Sequence, residues 1–421
     1  MRTGRLQNLW QNISNSFWFV PSLAVAAALV LAEVLTGVDA RLSGLDHSTV
    51  PWLFGGTADA ARSVLSTIAG SLITVISIAF SLTVIALQQA SSQFSPRVMR
   101  RFTGDRVNQI VLGAYIGTFV YSLMVLREVR SPEEGASGFV PALSVSVAIA
   151  LAIVCVGLLI LFIHHISQML QVDLVERQIH NEMLERLDHL YPSMVGEPAA
   201  AEDAAAEQGA AEDVAGEDWE IRSTETGFVR SIDDAALLNA EFEGVTRVRI
   251  RVRVGAFVAH DDLLATVAGA PADAAEVTRA IRKAVVIDAT RSAEQDLLFD
   301  VRQLVDIALR ALSPGINDPT TAEHALYYLG DTLGRLGQRA FPSPVRTAPG
   351  GGIRIILTRP GWDDYVAASF DQIRESARGN VHVIDVLLDV LRRLEHAVPV
   401  ERVPAVRAQI ALAMAERRDA R

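Results

Sequence analysis

Four long stretches of this chain carry no Asp, Glu, Lys or Arg. They run from Leu6 to Ala32, Ser63 to Pro96, Val107 to Leu126 and Gly135 to Val172. A bilayer core is crossed by roughly 20 mostly apolar residues as helix, and a helix satisfies its own backbone hydrogen bonds where no water is available. The alternative is four buried core helices. Four such runs within the first 165 residues, in a chain that is 50% hydrophobic with a mean hydropathy of +0.27, argue against it. Membrane spans are therefore expected at about 17–38, 65–88, 107–126 and 140–163.

The first run is longer than a signal-peptide core and further spans follow it, so it is expected to remain as a span. The single cysteine, Cys155, falls inside the fourth span, which leaves no disulfide framework or cysteine-based metal site within one chain. Arginine placement sets the expected topology. The loop between the second and third spans carries Arg97, Arg100, Arg101 and Arg106 against Asp105 alone, an interfacial basic cluster. Arg2 and Arg5 precede the first span with no acid nearby, whereas the other two loops mix bases with acids. Both termini are thus expected in the cytoplasm of a bacterial cell, around an inner-membrane domain.

The net charge of −11 has a local origin. Eight acids and no base lie between Gly196 and Asp218, in an alanine-rich stretch that reads as a solvated linker. The remainder is nearly neutral, and no basic surface for nucleic acid is indicated.

The second span is unusual. Its uncharged run, continued to Pro96, would extend about 50 Å as a helix against a hydrocarbon core of about 30 Å. Ser63, Thr67, Gly70, Thr74, Ser77 and Ser81 recur at steps of four and three, so small polar residues share one face. Such a stripe either packs helices closely or contacts water around an oligomer axis. No charge lies within it, so any pore would select weakly. Glu33 sits near the outer end of the first span, within reach of water. His164 and His165 end the fourth span; adjacent residues do not share a helix face, so they mark an interface rather than a metal pair.

Helical spacing continues from Ile166 to Leu190 as an amphipathic stalk ended by Tyr191-Pro192. After the linker the period changes to two. Val248, Ile250, Val252 and Val254 alternate with Arg247, Arg249, Arg251 and Arg253, a strand with one buried and one basic face. Gly255 and His260–Asp262 supply turns. The stretch VRVGAFVAHDDLLATV resembles the half-repeat of biotinyl- or lipoyl-type barrel-sandwich domains, without a carrier lysine; it implies a small β-domain only. Helix returns from 275 to 340. Its residues 297–312 are apolar around most of the circumference, which predicts a central buried helix with Arg302–Asp306 and Asp306–Arg310 at pairing distance along it. One strand at 353–358 and helices at about 363–377, 380–397 and 401–417 complete the chain.

Between two of these helices lies ALSPGINDPTTAEH. Pro314 cannot continue a helix and Gly315 permits a left-handed turn; Asp318 fits an N-cap with Pro319 at the first helical position. The new N-terminus also suits an anion, with Asn317, Asp318, Thr320 and His324 as candidate ligand contacts.

The expected architecture is an α-helical integral membrane domain of four transmembrane helices (1–165), a helical stalk (166–192), an acidic linker (193–218), and a cytoplasmic α+β region. That region comprises a small β-domain (219–270) and a helical bundle (271–421). The runs SLITVISIAFSLTVIALQQASSQFSPRVMRRF and QDLLFDVRQLVDIALRALSPGINDPTTA resemble a bacterial family of predicted membrane proteins, domain of unknown function 2254, along essentially the whole chain. The resemblance implies no activity and supplies no catalytic residue. No phosphate loop, HExxH or nucleophile elbow occurs, so neither an enzyme nor a cofactor or metal is expected. The expected roles are a homo-oligomeric channel in the lipid bilayer with a cytoplasmic regulatory domain, or a membrane-anchored scaffold whose soluble region binds a partner.

Overall fold

A computed structural model describes residues 18–42, 53–93, 105–131, 138–169, 171–192, 219–240, 242–347 and 354–419. The chain divides into two compact units, Met1–Gln171 and Val172–Arg421.

The first unit contains α1 (Phe19–Leu42), α2 (Ala58–Gln93), α3 (Arg106–Glu128) and α4 (Ala142–Met169). Among the described residues these four are the helices long and apolar enough to cross a membrane. α2 has 36 residues, the overlong helix its uncharged run predicts. α3 is the central member: half of its span is buried, against 17% for each of the others. Its small residues explain how. A Cβ added at Gly113 would lie 3.4 Å from Ala24 Cβ of α1, and one at Gly117 would lie 3.3 Å from the Ala24 carbonyl oxygen. Glycines one turn apart let the two backbones approach closely, the packing that replaces a hydrophobic driving force in lipid.

Polar side chains close the helix ends. The Asp39 carboxylate of α1 accepts the Leu143 and Ser144 N–H groups at 2.9 Å each and the Ser144 hydroxyl at 2.6 Å. It therefore caps α4 from another helix, satisfying backbone donors that have no partner within α4. Asp105 caps α3 and lies 2.7 Å from His165 Nε2. Glu33 pairs with Arg127 at 3.2 Å, both side chains largely exposed, as its place near the span end suggested.

The second unit begins with α5 (Val172–Leu190). Strands β1 (Trp219–Arg222) and β2 (Gly227–Ile232), the short helix α6 (Asp234–Leu238), β3 (Val245–Ile250), β4 (Phe257–Val258) and β5 (Leu263–Gly269) follow. Next come α7 (Ala274–Ala284), β6 (Val285–Asp288), α8 (Leu297–Ala311), α9 (Pro319–Leu336), β7 (Val345–Thr347) and β8 (Arg354–Ile356). Helices α10 (Trp362–Ser376), α11 (Val381–Ala397) and α12 (Val403–Asp419) complete it. Among the described residues there is a five-stranded sheet of order β1-β5-β3-β8-β7 and a three-stranded sheet of order β4-β2-β6. They share a core built on Ile221, Val229, Val248, Ile250, Val267 and Ile281.

Two expectations are corrected. Residues 166–190 are not one stalk: α4 ends at Met169, and α5 is a separate helix in the second unit. Val175, Ile179, Met183 and Leu187 of α5 are buried, and it packs on α8 and α9, because its apolar stripe is long enough to complete their core. The β-structure does not end at 270. Ile355 pairs in parallel with Val248, β7 extends the sheet edge, and β6 joins the second sheet. The strand expected at 353–358 is present as β8, the later arm of the β7–β8 pair. The acidic linker lies outside the described residues.

The expected alternation holds within β3, where Val248 and Ile250 are fully buried, but the strand ends at Ile250 and Val252 and Val254 beyond it are partly buried; Gly255 and Asp261 take positive φ in the turns assigned to them. α8 is the buried central helix of the bundle. Arg302 and Asp306 pair along it at 2.7 Å, and Asp300, with no exposed surface, accepts a bidentate pair from Arg186 of α5 at 2.6 and 2.8 Å.

Gly117→Leu is expected to force α1 and α3 apart and to cost about 1–3 kcal/mol, the usual range for overpacking. Thermal unfolding of the detergent-solubilised protein measures it.

Candidate functional site

The ALSPGINDP turn is built from local hydrogen bonds. The N–H groups of Ile316 and Asn317 donate to the Ser313 carbonyl at 3.0 and 2.9 Å, and that of Asp318 donates to the Ala311 carbonyl at 2.8 Å. These bonds occupy carbonyls at the end of α8. The left-handed residue is Asn317, with φ of 49°, rather than Gly315. Asparagine is the non-glycine type that best tolerates this region. Asp318 is the N-cap of α9, as expected: its carboxylate accepts the Thr321 N–H at 3.3 Å and the Thr321 hydroxyl at 2.7 Å, with Pro319 following. Thr320 is exposed.

His324 does not turn back to Asn317. Its Nδ1 lies 3.1 Å from Asp173 Oδ1, in the first turn of α5. Glu176 is one helical turn further along α5. Asp173, Glu176 and His324 each place one ligand-type atom within 4.8 Å of the others. Glu176 has no exposed surface, and neither of its carboxylate oxygens has a hydrogen-bond partner. Burial, reinforced by the negative charges of Asp173 and Asp318, pushes its pKa up to about 9. The negative charges of Asp173 and Asp318 at this end of α9 oppose the anion expected at Asn317, Asp318, Thr320 and His324, and the donor set suits a cation instead.

A second polar contact joins the same helices one turn on. His180 Nδ1 lies 3.1 Å from Thr332 Oγ1 and its Nε2 lies 3.1 Å from Asp331, and burial lowers its pKa. In sequence, Glu176 and His180 occupy the same helical stripe as Met183 and Leu187, the face that packs into the bundle. Two ionisable groups on an otherwise apolar stripe were the readable signal. A stalk has no inward face, so the expectation of one leaves that signal without a partner.

The other candidates separate. Ser63, Thr67, Gly70, Thr74, Ser77 and Ser81 are all exposed on the unit that carries them. The opposite face of α2, with Ala61, Leu65, Ala69 and Leu72, is the buried one. The stripe therefore does not pack against α1, α3 or α4. Its hydroxyls bond to their own helix: Thr67, Thr74, Ser77 and Ser81 donate to carbonyls four residues back at 2.7–3.2 Å. Of the basic cluster, Arg106 opens α3 and is exposed, while Arg97, Arg100 and Arg101 lie outside the described residues. A cavity of about 150 Å³ in the second unit is lined by Tyr191, Asp234, Asp296, Arg359 and Tyr365, among others. Its two tyrosine hydroxyls meet at 2.9 Å.

Four membrane-length helices followed by an α+β unit define a membrane protein with a substantial region of sheet and helical bundle. The chain belongs to the DUF2254 family of predicted membrane proteins, whose model matches residues 14–393. The uncharacterized protein Rv1290c of Mycobacterium tuberculosis is 32% identical over 409 residues, covering 95% of this chain and 76% of that protein. The uncharacterized protein Mb1321c of Mycobacterium bovis matches to the same extent. No solved structure matches the chain.

Asn317→Val is expected to cost about 1–2 kcal/mol, the penalty of a left-handed backbone with a branched Cβ, whereas Asn317→Gly is expected to be nearly neutral; chemical denaturation compares them. Glu176 gives a pH test. The folded state holds its proton up to about 9 while the unfolded chain releases it near 4.5, so its contribution to stability is full below 4.5 and is lost as pH rises towards 9. With chelator present, the melting temperature of the native protein should fall more between pH 5 and pH 9 than that of Glu176→Gln.

Proposed function

We propose that this protein is a homo-oligomer of the bacterial inner membrane in which α2 helices face one another, their small polar stripes bordering a weakly selective pore. The second unit serves as a cytoplasmic regulatory domain, with both termini on that side. The carrying observation is that all six stripe residues are exposed on their own unit. From Ser63 to Ser81 the stripe runs about 27 Å along the helix, close to the thickness of the hydrocarbon core. Lipid contact calls for bulky apolar side chains, and the chain does supply them elsewhere on α2, at Ile73, Ile78, Phe80 and Ile85.

A second reading rests on the hydroxyl geometry. Because the hydroxyls of Thr67, Thr74, Ser77 and Ser81 donate to their own helix, the stripe also suits a dry helix–helix interface. The protein would then be a membrane-anchored scaffold whose second unit binds a protein or small ligand. No enzymatic activity is part of either reading.

Cysteine cross-linking in native membranes distinguishes them. In a Cys155→Ala background, Ser77→Cys is expected to give disulfide-linked dimers on oxidation, and Leu72→Cys, on the buried face, is not. Purified protein in liposomes is expected to conduct small ions, with Ser77→Leu reducing flux at least tenfold. Cross-linking without flux selects the scaffold; absence of both rejects the α2 interface.

A further inference from the structure

We propose that Asp173, Glu176 and His324 bind a divalent transition-metal cation, with Zn²⁺ the ion that their donors suit best. The proposal is independent of any pore.

Three observations carry it. The first is the donor set. Two carboxylates and one imidazole from two helices each bring one ligand atom within 4.8 Å of the others. Asp173 and Glu176 are three residues apart and so share a face of α5, while His324 comes from the second turn of α9. The second is spacing. Ligands about 2.0–2.1 Å from a tetrahedral Zn²⁺ lie roughly 3.3 Å apart, and His324 Nδ1 is already 3.1 Å from Asp173 Oδ1. The third is Glu176. Among the described residues it is the one carboxylate with both oxygens buried and without a hydrogen-bond partner. A buried carboxylate without partners is costly, and it sits beside two further acids with no basic side chain bonded to it. A bound dication meets that cost directly: it displaces the proton that burial holds on Glu176, supplies the missing partner and balances the charges of Glu176 and Asp173.

The mixed donor set narrows the ion. Imidazole favours Zn²⁺ and its neighbours, whereas Mg²⁺ and Ca²⁺ take oxygen ligands. Exposure leaves the site open on one side, since the Asp173 and His324 side chains are 70% and 38% exposed. Three protein ligands with one position facing solvent is the arrangement that keeps a water on the metal. The surrounding contacts hold the ligands in place. Asp318 caps α9 through Thr321, and His180, with Thr332 and Asp331, fixes α5 against α9 one turn away. The cation would thus fasten the first turn of α5 to α9.

The test is calorimetric titration of ZnCl₂, and separately MgCl₂, into tag-free, chelator-stripped full-length protein in detergent at pH 7.5. One Zn²⁺ per chain with a micromolar or tighter Kd is expected, with no measurable Mg²⁺ binding. Glu176→Gln, which preserves side-chain shape, and His324→Ala should each weaken Zn²⁺ at least tenfold. His260→Ala, a histidine outside the cluster, should leave it unchanged. Zn²⁺ should also raise the melting temperature of the native protein but not of Glu176→Gln, a comparison that stands even if His324→Ala folds poorly. No stoichiometric Zn²⁺ binding, or equal affinity in the native protein and Glu176→Gln, overturns the proposal.

Discussion

A membrane interior offers no water to an unsatisfied peptide group, and the first unit is organised by that shortage. Each apolar run closes its backbone bonds as helix. What remains are the helix ends and the contacts between helices, and both are handled by a few residues. Asp39 caps α4 from α1, and Asp105 caps α3 while contacting His165. Gly113 and Gly117 bring α3 against Ala24 closely enough for dispersion to hold the pair. With α3 in the middle and α2 on the outside, the small polar face of α2 is left uncovered by its own chain. The oligomeric reading begins from that geometry.

The second unit follows the rule of an aqueous core, in which buried charge must be paired. Its central helix obeys it. Asp300 is matched by Arg186, Asp306 by Arg302, and Asp296 by Arg291 as well as by the N-terminus of α8 that it caps. Pairing of this kind fixes register between helices more than it adds stability. Glu176, on the same helix that supplies Arg186, has no such partner, and burial keeps it protonated instead. A buried carboxyl group whose oxygens both lack a partner is rare in a packed core, and the cation proposal begins there.

Much of this was legible in the residues. The four charge-free runs located α1 to α4. Apolar residues around the whole circumference of 297–312 marked α8, and the order Asn-Asp-Pro set the cap of α9, because each of the three types meets a different backbone demand at its position. Helical spacing runs through 166–190 without marking where α4 ends and α5 begins, and one chain segment does not reveal what covers its apolar stripe. β7 is three residues long, too short to show a period, and it is a strand because β8, itself paired with β3, offers it an edge.

The sequence by itself determined the membrane spans, the central helix and the turn before α9, since those follow from local backbone chemistry and from apolar residues spaced at short range. Only the tertiary structure decided that the α2 stripe faces away from its own helices and that His324 meets Asp173 and Glu176. Those residues are about 150 positions apart, and no local preference brings them together; the packing of α5 on α9 does, by burying the stripe that Glu176 shares with Met183 and Leu187.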